Sequence, residues 1–534
     1  MTVYSDLNLA GLIGNRALEK PDFAVLAVEN GSRSLVEKRT YSDLWRNGHR
    51  LAWGLSRLGL QPGDCFALLM ANHVEFVDAM VAAAITGTVF VPIDPRAKGD
   101  KLAFFLDNAK CKGVIAADYA MGNLLAVREQ LQHTRWIVGL PTDECDSAAL
   151  DAPGVTLYAD ALATHSEEHP LAQLGADSPM QLIFTSGTTG DPKGIVMTHQ
   201  RYCETALITD RIFGYRADDK PYSGLSLTHA NAQLVTLGAS LALGLSCVLS
   251  RRFTKSRLWE ITRRFGCTSF TLLGGMTTAL YAEPKRADDA DNPVRFVISA
   301  GMPKAIWSDF EQRFGVQMLE FYGAAEGGLT IKPIGVGPVG SIGKVAPNLR
   351  YRIVDDHGQD CPPGTPGELL FQPVDGSPYR VEYFNNPQAS AKKCMGGWLH
   401  MGDVVLEDAE GWLFFQYRQG NGIRRNGDFI NSAFIEKAIA ECPQVDDVYV
   451  YGIPAANGVP GEKDVVAAVV PKNLESFDPQ SIYRVCREKL ESNFVPSYLQ
   501  VLAQIPKTAS EKPQDRFLLE AFEQQPGCVH HEAR

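Results

Sequence analysis

The stretch Leu182-Ile-Phe-Thr-Ser-Gly-Thr-Thr-Gly-Asp-Pro-Lys-Gly-Ile-Val-Met-Thr-His199 constrains this chain more than any other. Two apolar runs, Leu182 to Phe184 and Ile195 to Met197, read as buried strands joined by a polar loop. The loop holds Thr185, Ser186, Gly187, Thr188, Thr189 and Gly190, closed by Asp191, Pro192, Lys193 and Gly194. Glycine lets the backbone turn sharply and approach a ligand closely. Backbone N–H groups and hydroxyls converging near one lysine suit a polyphosphate. The common nucleotide loop needs Gly-x-x-x-x-Gly-Lys-[Ser/Thr] opening a helix; here Pro192 stands where its second glycine would be. A plain polar hairpin loop is the ordinary alternative for a run of turn residues.

The string resembles the phosphate-loop signature of the adenylate-forming superfamily, which includes acyl-CoA synthetases, peptide-synthetase adenylation domains and luciferases. Such enzymes activate a carboxylic acid with ATP to an acyl-adenylate, release pyrophosphate and pass the acyl group to a thiol, usually coenzyme A. The resemblance implies a large N-terminal domain of layered, mostly parallel α/β sheets with a β-barrel-like part, followed by a small mobile α+β domain. It places the N-terminal domain at residues 1–418, a hinge at 419–422 centred on Asn421, and the C-terminal domain at 423–534.

Composition agrees with a globular, multi-domain chain: 534 residues, of which 45% are hydrophobic and 21% charged. A net charge of −11 argues against a nucleic-acid binder, whose footprint is usually basic. The eleven cysteines form no Cys-x-x-Cys pair and read as reduced thiols. The N-terminus lacks a signal-peptide pattern, and the run from Ala79 to Val91 is too short to span a bilayer. The expected location is the cytoplasm. Nothing in the sequence fixes the oligomeric state, a homodimer being one option.

Helical and strand patterns alternate through the first 180 residues or so, as in a largely parallel sheet. Helices are expected over Tyr41 to Leu58 and Glu75 to Ala84, and strands at Cys65 to Met70 and at Val89 to Val91 with Pro92 as the stop. This part carries no obvious chemistry.

Downstream motifs follow the family order. In Ser226-Leu-Thr-His-Ala-Asn-Ala-Gln233 the resemblance makes His229 a mobile, substrate-side residue, and the Asn-Ala-Gln continuation is most similar to the crotonobetaine/carnitine-CoA ligase branch. Leu272-Leu-Gly-Gly-Met276 ends a strand on Gly274 and Gly275, where backbone can approach a ligand. Phe296 to Gly301 is a strand running into a small-residue turn, and Ser299, Ala300 and Gly301 match the turn that lies against adenine. In Tyr322-Gly323-Ala324-Ala325-Glu326-Gly327, the counterpart of Tyr-Gly-x-Thr-Glu, Tyr322 is expected to stack on adenine and Glu326 to hold Mg²⁺. Ala324 and Gly327 are expected to line the acyl side, and Ala325 lacks the usual threonine hydroxyl.

Asp403 and Arg418 match the pair that grips the ribose hydroxyls. Hairpin-like segments are expected around Tyr351 to Val354 and Gly367 to Phe371. Ile505-Pro-Lys-Thr-Ala-Ser-Glu-Lys-Pro513 resembles Pro-Lys-Thr-x-x-Gly-Lys, so Lys512 is the catalytic lysine, with Glu511 in place of the glycine. Thr185, Glu326 and His229 complete the expected catalytic set. The implied function is an ATP-dependent, AMP-forming acyl-CoA ligase using ATP, Mg²⁺, coenzyme A and a small carboxylic acid. The alternatives are an adenylation enzyme serving a carrier-protein pantetheine, and a degenerate nucleotide-binding homologue.

Overall fold

The computed structural model describes the chain except residues 1–3, 31–34, 145–146, 163–166, 186–191, 420–422, 426–427, 431, 457–462, 491, 509–510 and 533–534. Two compact units emerge. The first comprises Met1–Thr254, Arg264–Thr271 and Val381–Ser390, and the second Lys255–Arg263, Leu272–Arg380 and Ala391–Arg534.

Unit one is built on a seven-stranded sheet. Its strands run in the order Val155–Leu157, Trp136–Leu140, Gly113–Ala117, Cys65–Leu69, Val89–Ile93, Pro179–Thr185 and Lys193–Thr198. All neighbouring pairs are parallel except the last, a hairpin. Three central strands, Gly113–Ala117, Cys65–Leu69 and Val89–Ile93, are buried along their whole length. That is the burial expected when helices cover both faces of a parallel sheet. The strand from Val89 runs through Pro92 to Ile93, so proline does not stop it as the sequence suggested. A second sheet in this unit pairs Ala24–Asn30 antiparallel with Leu35–Thr40 and parallel with Cys247–Ser250.

The helix Tyr41–Arg57 starts at a capping box in which Thr40 and Asp43 satisfy each other's backbone N–H groups. Its buried stripe of Tyr41, Leu44, Gly48, Leu51 and Leu55 packs against the helix Val74–Thr86. Gly48 sits where a Cβ would lie 2.6 Å from Val81 Cγ1.

Unit two contains parallel strands Phe296–Ala300 and Gln317–Ala324, the latter paired antiparallel with Gly327–Lys332. A four-stranded antiparallel sheet follows, ordered Leu349–Val354, Gly367–Pro373, Leu399–Glu407, Leu413–Arg418. Its outer strands do not pair, and no closed barrel forms among the described residues, which corrects the barrel-like expectation. Four strands are too few to curl shut. The C-terminal α+β part pairs Val445–Pro454 with Lys463–Pro471, adds Tyr498–Val501 in parallel, and packs helices Ser432–Ala440 and Pro479–Lys489 on it. Its core gathers Ile435, Ile439, Val450, Ala467, Ile482 and Leu499.

The ten described cysteines are all free. No described helix is long and apolar enough to cross a membrane. Because the two helices of unit one meet at a position with no room for a side chain, Gly48→Leu is expected to destabilise the protein by about 1–3 kcal/mol. Urea unfolding followed by tryptophan fluorescence checks this; an unchanged midpoint would show that the contact yields freely.

Candidate active site

Each unit contributes its own cluster of the residues singled out in the sequence. In unit one the hairpin Pro179–Thr185 and Lys193–Thr198 pairs Thr185 with Lys193 at the mouth of the loop. Ser186, Gly187, Thr188, Thr189 and Gly190 lie outside the described residues, and of Thr185 only the backbone is described. Lys193 is exposed, with its ammonium 5.4 Å from the centre of the Tyr383 ring. Tyr383 arrives from a returning segment that borders the hairpin: Ile195 bridges to Tyr383, Val196 N–H donates to Glu382 O at 2.9 Å, and Phe384 N–H donates to Gly194 O at 2.8 Å. A cation held over an aromatic face keeps its charge while losing some of its freedom. Tyr383 carried no signal in the sequence, being almost two hundred residues downstream.

His229 is half-buried, and its Nδ1 accepts from Asn231 N–H at 3.2 Å. That contact assigns the proton of the neutral ring to Nε2. The segment before it is pinned by Asn72, fully buried, which donates to Leu225 O and Ser250 O and accepts from Leu227 N–H. The helix after it, Ala232–Gly238, is wound as a π-helix, a form that frequently marks functional sites.

In unit two, Asp403 and Arg418 are cross-strand partners in adjacent antiparallel strands. Arg418 Nε lies 3.2 Å from Asp403 Oδ1, and the Tyr322 hydroxyl donates to Asp403 Oδ2 at 2.6 Å. Tyr322 was expected to offer its ring; its hydroxyl also braces the carboxylate. Burial and the neighbouring Asp403 charge hold the Tyr322 phenol protonated well above its ordinary range. Glu326 sits almost buried in the two-residue turn between Gln317–Ala324 and Gly327–Lys332. Gly323 is packed so that a Cβ would lie 2.7 Å from Gly328 O, and one on Gly327 would collide with the Tyr379 hydroxyl. Ala324 and Gly327 face each other across this turn.

Lys512 reaches this cluster. Its pKa is lowered from that of an ordinary lysine, first by the protein atoms packed around it and then by Arg418, with Asp403 and Glu326 pulling the other way. The Lys512 residue remains exposed to solvent. Lys393 is a second, half-buried lysine near Glu326, Asp403 and Arg418, its ammonium 3.4 Å from Met401 O, and its pKa is likewise lowered by burial. Lys393 was missed in the sequence because a helix-terminal lysine looks like any surface residue. Glu368 also acts on Lys393, so three cations here face three carboxylates, Glu326, Asp403 and Glu368.

Gly274, Gly275 and Gly301 bring main chain together. A Cβ on Gly274 would lie 2.9 Å from Gly301 O, and one on Gly275 would lie 3.4 Å from Glu511 O in the Lys512 loop. Gly274 and Gly275 open the helix Gly274–Tyr281 rather than simply closing a strand. Asn421 lies outside the described residues.

As for Mg²⁺, Glu326 offers one hard oxygen ligand and belongs to no described group of three or more metal-ligating side chains. A single carboxylate fits an ion that arrives on ATP phosphates. The one described trio with metal-ligand spacing, Glu37, His73 and Glu75, is instead engaged by arginines: Arg251 bonds to His73 and Glu37, and Arg39 to Glu75.

The Lys512 loop itself is held by Thr508 N–H donating to Lys512 O at 2.8 Å and Lys512 N–H donating to Thr508 Oγ1 at 3.2 Å. Glu511 takes φ +58°, the left-handed region where the resembled family carries glycine. A side chain there costs roughly 1 kcal/mol. Glu511→Gly is therefore expected to raise stability by about 0.5–1 kcal/mol in chemical denaturation, whereas Glu511→Val should lower it; equal stability of the two variants would contradict the strain.

Comparison with known proteins gives the same picture. Residues 15–373 match the AMP-binding enzyme family and residues 435–512 the AMP-binding enzyme C-terminal domain. The chain is 32% identical to medium/long-chain-fatty-acid–CoA ligase FadD17 of Mycobacterium marinum, covering 92% of this chain and 94% of the relative. It is 29% identical to crotonobetaine/carnitine–CoA ligase of Escherichia coli, covering 90% and 93%. In fold it is similar to anthranilate CoA ligase AuaEII in complex with anthranoyl-AMP, with a TM-score of 0.83, 22% identity and 99% of both chains covered. A benzoate CoA ligase from Burkholderia xenovorans LB400 superposes with a TM-score of 0.78 at 21% identity over 96% of this chain and 99% of that one. With the family matched over most of its length, this chain belongs to the AMP-binding enzymes and is an adenylate-forming enzyme of the acyl-CoA ligase type.

Proposed function

We propose that the protein joins a carboxylic acid to coenzyme A in two steps, through an acyl-adenylate. The observation that carries this is the meeting of Lys512, Arg418, Asp403 and Glu326 in unit two. In the first step an oxygen of the substrate carboxylate attacks the α-phosphorus of ATP, the bond to the β-phosphate breaks, and pyrophosphate leaves. Two anions must approach each other, so positive charge aimed at the transition state lowers the barrier. In this reading Lys512 supplies it. Asp403, braced by Tyr322 and Arg418, accepts hydrogen bonds from the ribose hydroxyls. The hydroxyl-rich loop of Thr185 to Gly190 with Lys193 grips the departing phosphates. Glu326 would hold Mg²⁺ arriving with ATP, and the ion would supply neutralisation of the phosphate charge.

In the second step the coenzyme A sulfur attacks the acyl carbonyl carbon, AMP leaves, and the thiol proton passes to solvent. Between steps, residues beyond Gln419 rotate about Asn421 and withdraw Lys512. In this reading the acyl-side residues are Gly274, Gly275, Ala324 and Gly327 in unit two and, separately, His229 in unit one. The acid is an organic carboxylate of the kinds named for the relatives: fatty, betaine-like or aromatic.

Pyrophosphate release across a panel of such acids, with and without coenzyme A, tests this directly. Release that depends on one acid class, with acyl-CoA and AMP formed only in the presence of coenzyme A, is the expected result. Lys512→Ala is expected to slow the first step about 10²–10³-fold. Pyrophosphate without a coenzyme A thioester would turn the assignment to a carrier-protein acceptor, and tight ATP binding without release to a degenerate homologue. The depressed Lys512 pKa adds a pH signature. Because the charged form is lost at lower pH than in an ordinary lysine, the first step should decline on the alkaline side before an unperturbed lysine would titrate. Lys512→Arg, which keeps its charge, should lose that alkaline limb.

A further inference from the structure

The strand that carries Tyr322 also carries Glu320, whose side chain is only 2% exposed. It points at the turn after Phe296–Ala300. Gly301 N–H donates to Glu320 Oε1 at 2.5 Å, and Met302 N–H donates to both carboxylate oxygens, at 3.2 and 3.3 Å. Gly301 takes φ +97°, so the two successive N–H groups belong to a turn with left-handed backbone. Consecutive N–H groups in such a turn form a concavity that binds anions. Here an internal carboxylate fills it.

The surroundings make this an expensive arrangement. Ser299 is the register partner of Glu320 on one side, and Lys332 on the other. Lys332 is itself buried, its ammonium 4.8 Å from the centre of the Trp307 ring, and Glu311 acts on it from the helix Trp307–Phe314. These are the charged neighbours that bear on the Glu320 carboxyl through the strands and helix packed around it. A buried carboxylate loses hydration that two N–H donors and one nearby ammonium replace only in part. A strand residue with no positional duty would be apolar here.

We propose that Glu320 is a positioning residue for nucleotide binding: its ionised carboxylate fixes the 299–302 turn, and loss of that charge loosens the turn and weakens ATP binding. The inference rests on the proposed placement of Ser299, Ala300 and Gly301 against the base. The same turn is backed by Gly274, packed against Gly301 O, so a shift at residue 301 is passed to the start of the helix Gly274–Tyr281.

Burial, outweighing the Gly301 and Met302 N–H groups, the Ser299 side chain and the Lys332 charge, pushes the Glu320 carboxyl up to about 7. The sign follows from which form clamps the turn. Above that pH the carboxylate accepts both N–H groups as charge-assisted bonds; below it the neutral acid holds them more weakly. For stability the sense is opposite: a carboxyl whose folded pKa is raised favours the native state at low pH, and that contribution is lost as pH rises through the unfolded value towards the folded one.

The test is ATP-dependent pyrophosphate release by the full chain at saturating acid, with ATP varied between about pH 6 and pH 8, in wild type, Glu320→Gln and Glu320→Asp. Wild type should show a KM for ATP that rises about three- to tenfold towards the acid end, with kcat little changed. Glu320→Gln should have a raised KM throughout and should lose this pH dependence, while Glu320→Asp keeps part of it. Titration of ATP itself is common to all three and cancels in the comparison. A Gln variant whose KM follows the wild-type curve overturns the proposal, as does one that merely melts earlier. Should Glu320→Gln fail to fold, amide hydrogen exchange in wild type decides: residues 301 and 302 should lose protection below about pH 7 relative to amides of Phe296–Ala300, and unchanged protection overturns it. If wild type releases no pyrophosphate with any acid, the reaction assigned above fails separately, and AMP binding measured by calorimetry over the same pH range replaces KM as the readout for Glu320.

Discussion

The interaction on which unit two depends is the three-way contact at Asp403. Its carboxylate is nearly buried, and a buried charge survives only with partners. Arg418 comes from the neighbouring strand of the same sheet, and Tyr322 from a strand of another. The contact therefore fastens the four-stranded sheet to the strand that carries both Glu320 and Tyr322. Cross-strand pairing fixes Arg418 opposite Asp403, and the short tyrosine bond fixes the carboxylate's rotation. A group so held has little reorganisation left to do when a ligand arrives, which is the physical basis of preorganisation.

Around that fixed point the charges balance in number. Lys393, Lys512 and Arg418 stand against Glu326, Asp403 and Glu368. The lysines respond as crowded cations do, with pKa values drawn down by burial and, in both, by Arg418. The same unit spends a second buried carboxylate, Glu320, on the shape of one turn.

Unit one uses a different economy. Its wholly buried parallel strands make a rigid frame, with the hairpin Pro179–Thr185 and Lys193–Thr198 at its edge. Lys193 is kept in place by the Tyr383 ring and by the backbone ladder between residues 194–196 and 382–384, and the segment before His229 by two hydrogen bonds with buried Asn72, which donates to Leu225 O and accepts from Leu227 N–H. Both are long-range contacts made by residues that look unremarkable in sequence.

What the amino-acid order determines by itself is local: where apolar runs become buried strands, where Thr40 and Asp43 cap a helix, and which short strings, around Lys193, Tyr322, Asp403 and Lys512, carry the chemistry of a family. Those features depend on residues a few positions apart, so their physics is written in the spacing. Helix Tyr41–Arg57 and strand Cys65–Leu69 were legible on that ground, and so was the antiparallel pairing of Leu349–Val354 with Gly367–Pro373. Only the tertiary structure decided that the latter pair belongs to an open sheet, that the Tyr322 hydroxyl is spent on Asp403, that Lys393 joins the cationic cluster, and that Glu320 clamps residues 301 and 302. Each of these joins residues from different elements, and burial sets its strength. Burial is a property of the packed chain and of no single stretch of it.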